Sequence, residues 1–267
     1  MRLRWERRIR KRLRGEVGRA VAGRERRGES LEEALCGVLT DGSFSQWDRA
    51  EAGRLMSIGV DGRAVRELVA QFFRQEAKDE LYMTALALEA LDDARAVPAL
   101  IRALLEDANA HRRHAAARAL GWISRPGRGA ARALALCLAD PGQPQAAREE
   151  AAESLAYVGS AETIDVLIGA LSDGDVRIRF WAVWGWGGSC RGEARAVRAL
   201  EGVLGDGEVP PGTWWSVGRE ALAMLGGLRF AGNPYRGLLA EAARRVLGDA
   251  GAGEEERRWA GLYGDVG

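Results

Sequence analysis

At 267 residues, with 47% hydrophobic and 29% charged residues, the chain has the balance of one or two globular domains, which excludes wholesale disorder. The longest strictly apolar run, Ala133 to Ala139, is far short of the roughly 18 residues of a membrane-spanning helix, and no apolar h-region follows the basic N-terminus. Neither a membrane-spanning protein nor a secreted precursor is expected, and three widely separated cysteines, Cys36, Cys137 and Cys190, fit reduced thiols in a cytoplasmic protein.

The net charge of +1 conceals an asymmetry: residues 1–27 carry 12 basic residues against 3 glutamates, a net +9, and the other 240 carry 27 basic against 35 acidic, a net −8. Lysine occurs only at Lys11 and Lys78, and this arginine bias, with abundant Ala and Gly, fits a GC-rich coding genome. Residues 1–29 form a basic N-terminal arm in which Trp5, Ile9, Leu13 and Val17 recur at i+4 steps, the pattern of an amphipathic helix. Such a helix can dock its stripe on the body, lie on an anionic membrane, or contact nucleic-acid phosphates. A body that itself held nucleic acid would carry an excess of positive charge, and the other 240 residues are net negative.

Residues 30–79 hold a degenerate helix pair, Ser30 to Leu39 and Ser45 to Ile58, and then Gly62 to Phe73, the first helix of a pair completed by Glu80 to Leu91. From residue 80 to 228 the chain repeats itself. The segments Arg112 to Ile123, Ala147 to Val158, Val176 to Gly187 and Val217 to Leu228 align Leu120, Leu155, Trp184 and Leu225 at spacings of 35, 29 and 41, and Glu80 to Leu91 adds Leu88, 32 residues earlier. Each follows another apolar-periodic run: Val97 to Asp107, Gly129 to Asp140, Thr163 to Asp173 and Ala196 to Asp206. Val97, Leu100, Ile101, Leu104 and Leu105 have the spacing of an amphipathic helix, no strand pattern competes, and the Asp-led turns end one helix and start the next. Residues 229–267 read as a capping helix, about Tyr235 to Leu247, and a loose tail containing Trp259 and Tyr263.

The arrangement V-P-A-L-I-x-A-L-x-D, a turn, then V-R-x-x-A-A-x-A-L-G-x-I resembles the HEAT repeat in its short bacterial form, also called the phycobilin-lyase type. The resemblance implies an all-α, right-handed α-solenoid whose second helices line a concave groove, acting mostly as a scaffold or peptide-binding module. It also implies a ladder of turn aspartates and second-helix arginines, here Asp107 with Arg113, Asp140 with Arg148, and Asp173 or Asp175 with Arg177, lapsing at Leu81 and Gly218.

On the second helices, the fourth, seventh and eleventh positions of each segment form one stripe, expected to line the groove. It carries Arg118 and Trp122, Glu153 and Tyr157, and Arg179 and Trp186, with aromatic residues where most family members are polar. These rings either pack against adjacent repeats, as Trp and Tyr commonly do, or form a binding surface, since aromatics with Arg are enriched at interface hot spots. Trp181 and Trp184 read as core. Trp214 and Trp215 lie in the insertion Glu208 to Ser216, a loop that can serve as a secondary binding element or fold over the core.

Candidate chemistry is sparse. His111 and His114 lack a third ligand, so no metal is expected; no phosphate-cradling glycine loop or triad is recognisable, and no cofactor is implied. The expected function is a non-catalytic adaptor for a protein partner. The alternatives are a chromophore lyase or chaperone of the phycobilin-lyase type and a nucleic-acid-binding HEAT-like protein, including a relative of the DNA-alkylation-repair glycosylases.

Overall fold

The computed structural model describes residues 2–57, 63–124, 126–159, 161–189, 194–213 and 215–226, with scattered residues between 240 and 261. The expected cap at 235–247 and the tail with Trp259 and Tyr263 fall largely or wholly outside the described residues, as do Cys190 and Trp214.

The described helices are α1 (Arg2–Arg10), α2 (Gly15–Glu25), α3 (Leu31–Thr40), α4 (Gln46–Ser57), α5 (Arg63–Arg74), α6 (Lys78–Leu91), α7 (Val97–Glu106), α8 (Ala110–Trp122), α9 (Gly127–Ala139), α10 (Gln145–Val158), α11 (Ile164–Ala170), α12 (Val176–Ser189), α13 (Ala194–Glu201) and α14 (Val217–Gly226). No strand occurs among the described residues. Local chemistry sets several boundaries. Ser30 and Glu33 form a reciprocal cap on α3, with the Glu33 N–H donating to Ser30 Oγ at 3.2 Å and the Ser30 N–H to the Glu33 carboxylate at 2.7 Å. The Asn109 side chain accepts from the His111 and Arg112 N–H groups at the start of α8, and Asp92, at φ 49°, ends α6 in the left-handed conformation.

The chain divides into two compact units, Met1–Ala130 and Ala131–Gly267, with the boundary inside α9. In the first, α3/α4, α5/α6 and α7/α8 are packed pairs, α4, α6 and α8 stack in succession, and α2 packs on α3 and α4. In the second, α11/α12 and α13/α14 are pairs and α10, α12 and α14 stack in succession. The fold is an all-α solenoid of HEAT-like helix pairs. Its second helices approach closely because small residues line their contacts: Ala116, Ala117, Ala151 and Ala152 are fully buried, as are the column leucines Leu120, Leu155 and Leu225. At two places the contact is backbone to backbone. A Cβ on Gly53 would lie 2.6 Å from the Ala90 carbonyl oxygen, and one on Gly185 would lie 2.7 Å from that of Ala152.

The ladder differs from the expected pairing: Arg148 and Arg179 reach forward to the aspartate of the next repeat, whereas Arg112 and Arg177 reach back to a glutamate of the preceding one. Arg148 Nε donates to the Leu138 carbonyl at 3.1 Å and its Nη2 meets Asp173 at 2.5 Å; Arg179 Nη1 donates to the Asp173 carbonyl at 2.9 Å and its Nε meets Asp206 at 2.8 Å. Arg177 pairs with Glu149 at 3.5 Å, leaving Asp175 to accept from the Arg177 N–H as a helix cap. In the first unit Arg113 Nε donates to the Asp107 carbonyl at 2.5 Å, while buried Arg112 takes the Asp107 carboxylate at 2.7 Å, the Phe72 carbonyl at 3.2 Å and Glu76 at 2.8 Å. Arg112, Arg148 and Arg179 thereby each satisfy both a helix-end carbonyl and a carboxylate of a neighbouring layer.

Candidate functional site

On the second-helix row of the first unit, Arg118 of α8 lies between two exposed rings, its guanidinium carbon 5.2 Å from the Tyr82 ring centre and 5.6 Å from that of Trp122. Tyr82 is 38% and Trp122 36% exposed. Arg118 also faces the Glu89 carboxylate at 3.9 Å. Beside this cluster a cavity of about 230 Å³ is lined by Arg49 from α4, Leu86, Glu89 and Ala90 from α6, Asp92, and Trp122 and Ser124 at the end of α8. Asp92 anchors its rim, accepting from the Ser124 N–H and hydroxyl at 2.7 Å each, which ties the end of α8 to the end of α6. Among the described residues, Arg49 meets no carboxylate at ion-pair distance; Nη1 contacts the Met83 sulfur at 3.2 Å and buried Nε has no partner. The cavity therefore offers an apolar wall of Leu86 and Ala90, the Trp122 ring, the carboxylates of Glu89 and Asp92, and an incompletely satisfied cation.

Tyr82 and Arg49 did not stand out in the sequence. Tyr82 sits at the third position of its segment, one residue off the expected groove stripe, and the degenerate sequence of α4 sets no register. The same gap hid Trp47, also on α4, which is 85% exposed.

In the second unit, Tyr157 is 48% exposed and Glu153 half-buried, on the outer side of α10. Two of the expected groove residues are placed differently. Trp186 is 3% exposed and belongs to the core, and Arg179 is engaged in the ladder with Asp206 and Glu208, the latter at 3.0 Å. Both corrections have one cause, a two-residue difference in the register of α12. Arg179, not Arg177, occupies the place of Arg148; Ala182 and Val183 follow Ala151 and Ala152 into the inter-helix contact; and Trp186 follows Leu155 into the buried column. The spacing of the column is therefore 31 and then 39 residues, not 29 and 41. From Phe180 to Gly187 the helix is apolar on every side, so hydrophobic periodicity could not choose between the registers. The ladder arginine could have.

The same shift takes Trp181 and Trp184 out of the core. Both are half-buried, packed edge to face at 6.3 Å, and Trp181 meets Phe180 in the same manner at 5.4 Å. They occupy the columns of Glu150 and Glu153. Trp215 of the 208–216 loop is docked, not presented: it is half-buried, its indole donates to Glu220 at 2.5 Å, and the Arg219 guanidinium lies 4.7 Å from its ring centre. Burial raises the Glu220 carboxyl above the usual glutamate range, with the Trp215 hydrogen bond and the Arg219 charge opposing.

His111 is exposed and His114 half-buried on α8, and among the described residues no group of three or more His, Cys, Asp or Glu is placed to hold a metal ion. Cys36 is buried, and burial pushes its thiol up to about 11, which keeps it protonated at neutral pH. Among the described residues no helix is long and apolar enough to cross a membrane.

A family model for HEAT repeats matches residues 65–144 and 133–217. No curated protein matches the chain. Among solved structures it is similar to the complex of CpcE and CpcF of phycocyanin lyase from Nostoc sp. PCC7120, at 20% identity over 89% of this chain and 95% of that one, with a TM-score of 0.47. It is also similar to human deoxyhypusine hydroxylase, at 19% identity over 94% and 99% of the two chains with a TM-score of 0.37, and to a designed armadillo repeat protein, at 14% identity over 89% and 99% with a TM-score of 0.37.

Proposed function

Because the chain belongs to the HEAT repeat family, we propose that it is a non-catalytic scaffold or adaptor that captures a protein partner on the faces of its second helices. The observation that carries this reading is the Tyr82–Arg118–Trp122 cluster beside its cavity. Partly exposed aromatic rings with an arginine between them are the composition of interface hot spots. At about 230 Å³ the cavity is below the roughly 300–1,000 Å³ of small-molecule sites, so it suits an anchoring side chain better than a tetrapyrrole. An apolar side chain would sit against Leu86 and the Trp122 ring, with a carbonyl or carboxylate of the same segment completing Arg49.

In the second unit, Tyr157, Glu153 and the edge-to-face pair Trp181 and Trp184 form the corresponding surface, while Arg179, Trp186 and Trp215 serve packing. The proposed organisation keeps 1–29 as a basic arm, 30–79 as the opening helices, 80–228 as the repeats and 229–267 as cap and tail.

The experiment is affinity capture from a cytoplasmic extract of the source cell, comparing the wild type with Tyr82→Ala/Trp122→Ala by quantitative mass spectrometry. A partner held by the wild type should be depleted at least tenfold in the double variant, with helical circular dichroism retained. Equal recovery by both proteins refutes the role of the cluster. A shifted bilin absorbance on mixing, abolished in the same variant, would replace the adaptor reading with the chromophore one.

A further inference from the structure

The solvent-facing side of α1 and α2 is a cationic surface that the partner-binding faces leave unused. Ile9, Val17 and Val21 are buried and α2 packs on α3 and α4, so the apolar stripe of the arm is largely consumed by docking. Of the cations in this segment, Arg10 is neutralised by Glu25 through two hydrogen bonds at 2.7 and 2.9 Å, Arg24 turns inward to Glu29 at 3.3 Å, and Arg27 reaches Glu29 at 3.7 Å. Arg7, Arg8, Lys11, Arg12, Arg14, Arg19 and Arg26 are exposed, and none of them makes an ion pair with a described residue.

Docking fixes where these charges stand. Arg14, Arg19 and Arg26 border a shallow depression of about 460 Å³ floored by Gly15, Gly18 and Ala22, and Arg7, Arg10 and Lys11 border a second of about 430 Å³ with Glu6. Small residues on the first floor let a phosphate approach the helix itself. From residue 14 to 26 the helix runs about 18 Å at 1.5 Å per residue, equal to roughly five base-pair steps at 3.4 Å each.

We propose that this surface binds the phosphate backbone of a nucleic acid without reading its bases. Guanidinium forks match phosphate oxygens, and a helix that lies in a bilayer needs a free apolar face, whereas Ile9, Val17 and Val21 are already committed to the protein interior. The net −8 of residues 28–267 repels phosphate and orients the arm toward it.

The test is fluorescence anisotropy of the full chain with a labelled duplex DNA and a single-stranded RNA, each about 20 nucleotides long, between about 50 and 200 mM salt. Six phosphate contacts at roughly −0.9 each predict a log–log salt slope of about −5 on the duplex. Replacing Arg14→Gln, Arg19→Gln and Arg26→Gln together should make that slope shallower by about 3 and weaken low-salt binding at least tenfold. If that variant loses helical signal, Arg7→Gln, Lys11→Gln and Arg12→Gln are read by the same slope. An unchanged slope in a folded variant, no binding at about 50 mM salt, tighter binding to phosphatidylserine vesicles, or equal competition by polyglutamate each overturns the proposal.

Discussion

Truncating Trp186 to alanine tests the register of α12, on which the placement of the second unit's surface depends. The indole is 3% exposed, so folding removes on the order of 200 Å² of its surface from water, worth about 5 kcal/mol at 25 cal/mol per Å². Part of that burial is retained by alanine and part by relaxation of the neighbours, giving an expected loss of about 3–5 kcal/mol. Among the described residues its buried Nε1 has no hydrogen-bond partner, so truncation breaks no hydrogen bond and removes an unsatisfied donor, which places the expected loss toward the lower end of that range. For a chain of this size the melting temperature should fall by roughly 10 °C. Trp122→Ala, which removes a ring 36% exposed and its contact with Arg118, should cost only about 1–2 kcal/mol, and Trp47→Ala, at 85% exposure, no more than about 0.5. The assay is urea unfolding followed by far-ultraviolet circular dichroism, which does not depend on the number of tryptophans left. If Trp186→Ala shifts the midpoint no further than Trp122→Ala, the two-residue shift is wrong and Trp186 belongs to the surface.

Two further perturbations probe the same unit. Gly185→Ala places a Cβ 2.7 Å from the Ala152 carbonyl oxygen and 2.9 Å from Leu167 Cδ2, forcing α10 and α12 apart at a cost of about 1–3 kcal/mol; Gly169→Ala in α11, with nothing within 4 Å, should instead stabilise by about 0.5–1 kcal/mol, and equal urea midpoints for the two variants would refute the close approach. Glu220→Gln tests the raised carboxyl. A folded pKa above the unfolded one means that the native state holds the proton more tightly, so stability is lost as pH rises from the unfolded pKa through the folded one. The amide still accepts from Trp215 and carries no charge, so the variant should be more stable than the wild type at pH 7 and show a flatter melting profile from pH 4 upward; an unchanged or lowered midpoint at pH 7 refutes it.

The repeat itself was legible in the chain because helix pairs of similar length must bury similar faces: the leucines at 88, 120 and 155, the paired alanines at 116–117 and 151–152, and the aspartate turns are all local consequences of that requirement. The column leucine two residues earlier also placed Trp122 and Tyr157 on the stripe away from the buried column, but whether their rings pack on a neighbouring repeat or stand open was not legible in the sequence, and the structure leaves them 36% and 48% exposed. In α12 the phase was not determined locally. Phe180, Trp181, Val183, Trp184 and Trp186 leave no polar face, and only the reach of Arg179 to Asp206 and the seating of Gly185 against α10 select which ring is buried. Tertiary packing also decided that Ile9, Val17 and Val21 would be buried, leaving their arginines outside, and that Tyr82 would share Arg118 with Trp122. Neighbours within one helix can be read from its period, whereas a contact between layers depends on the helix rotation that the whole stack settles.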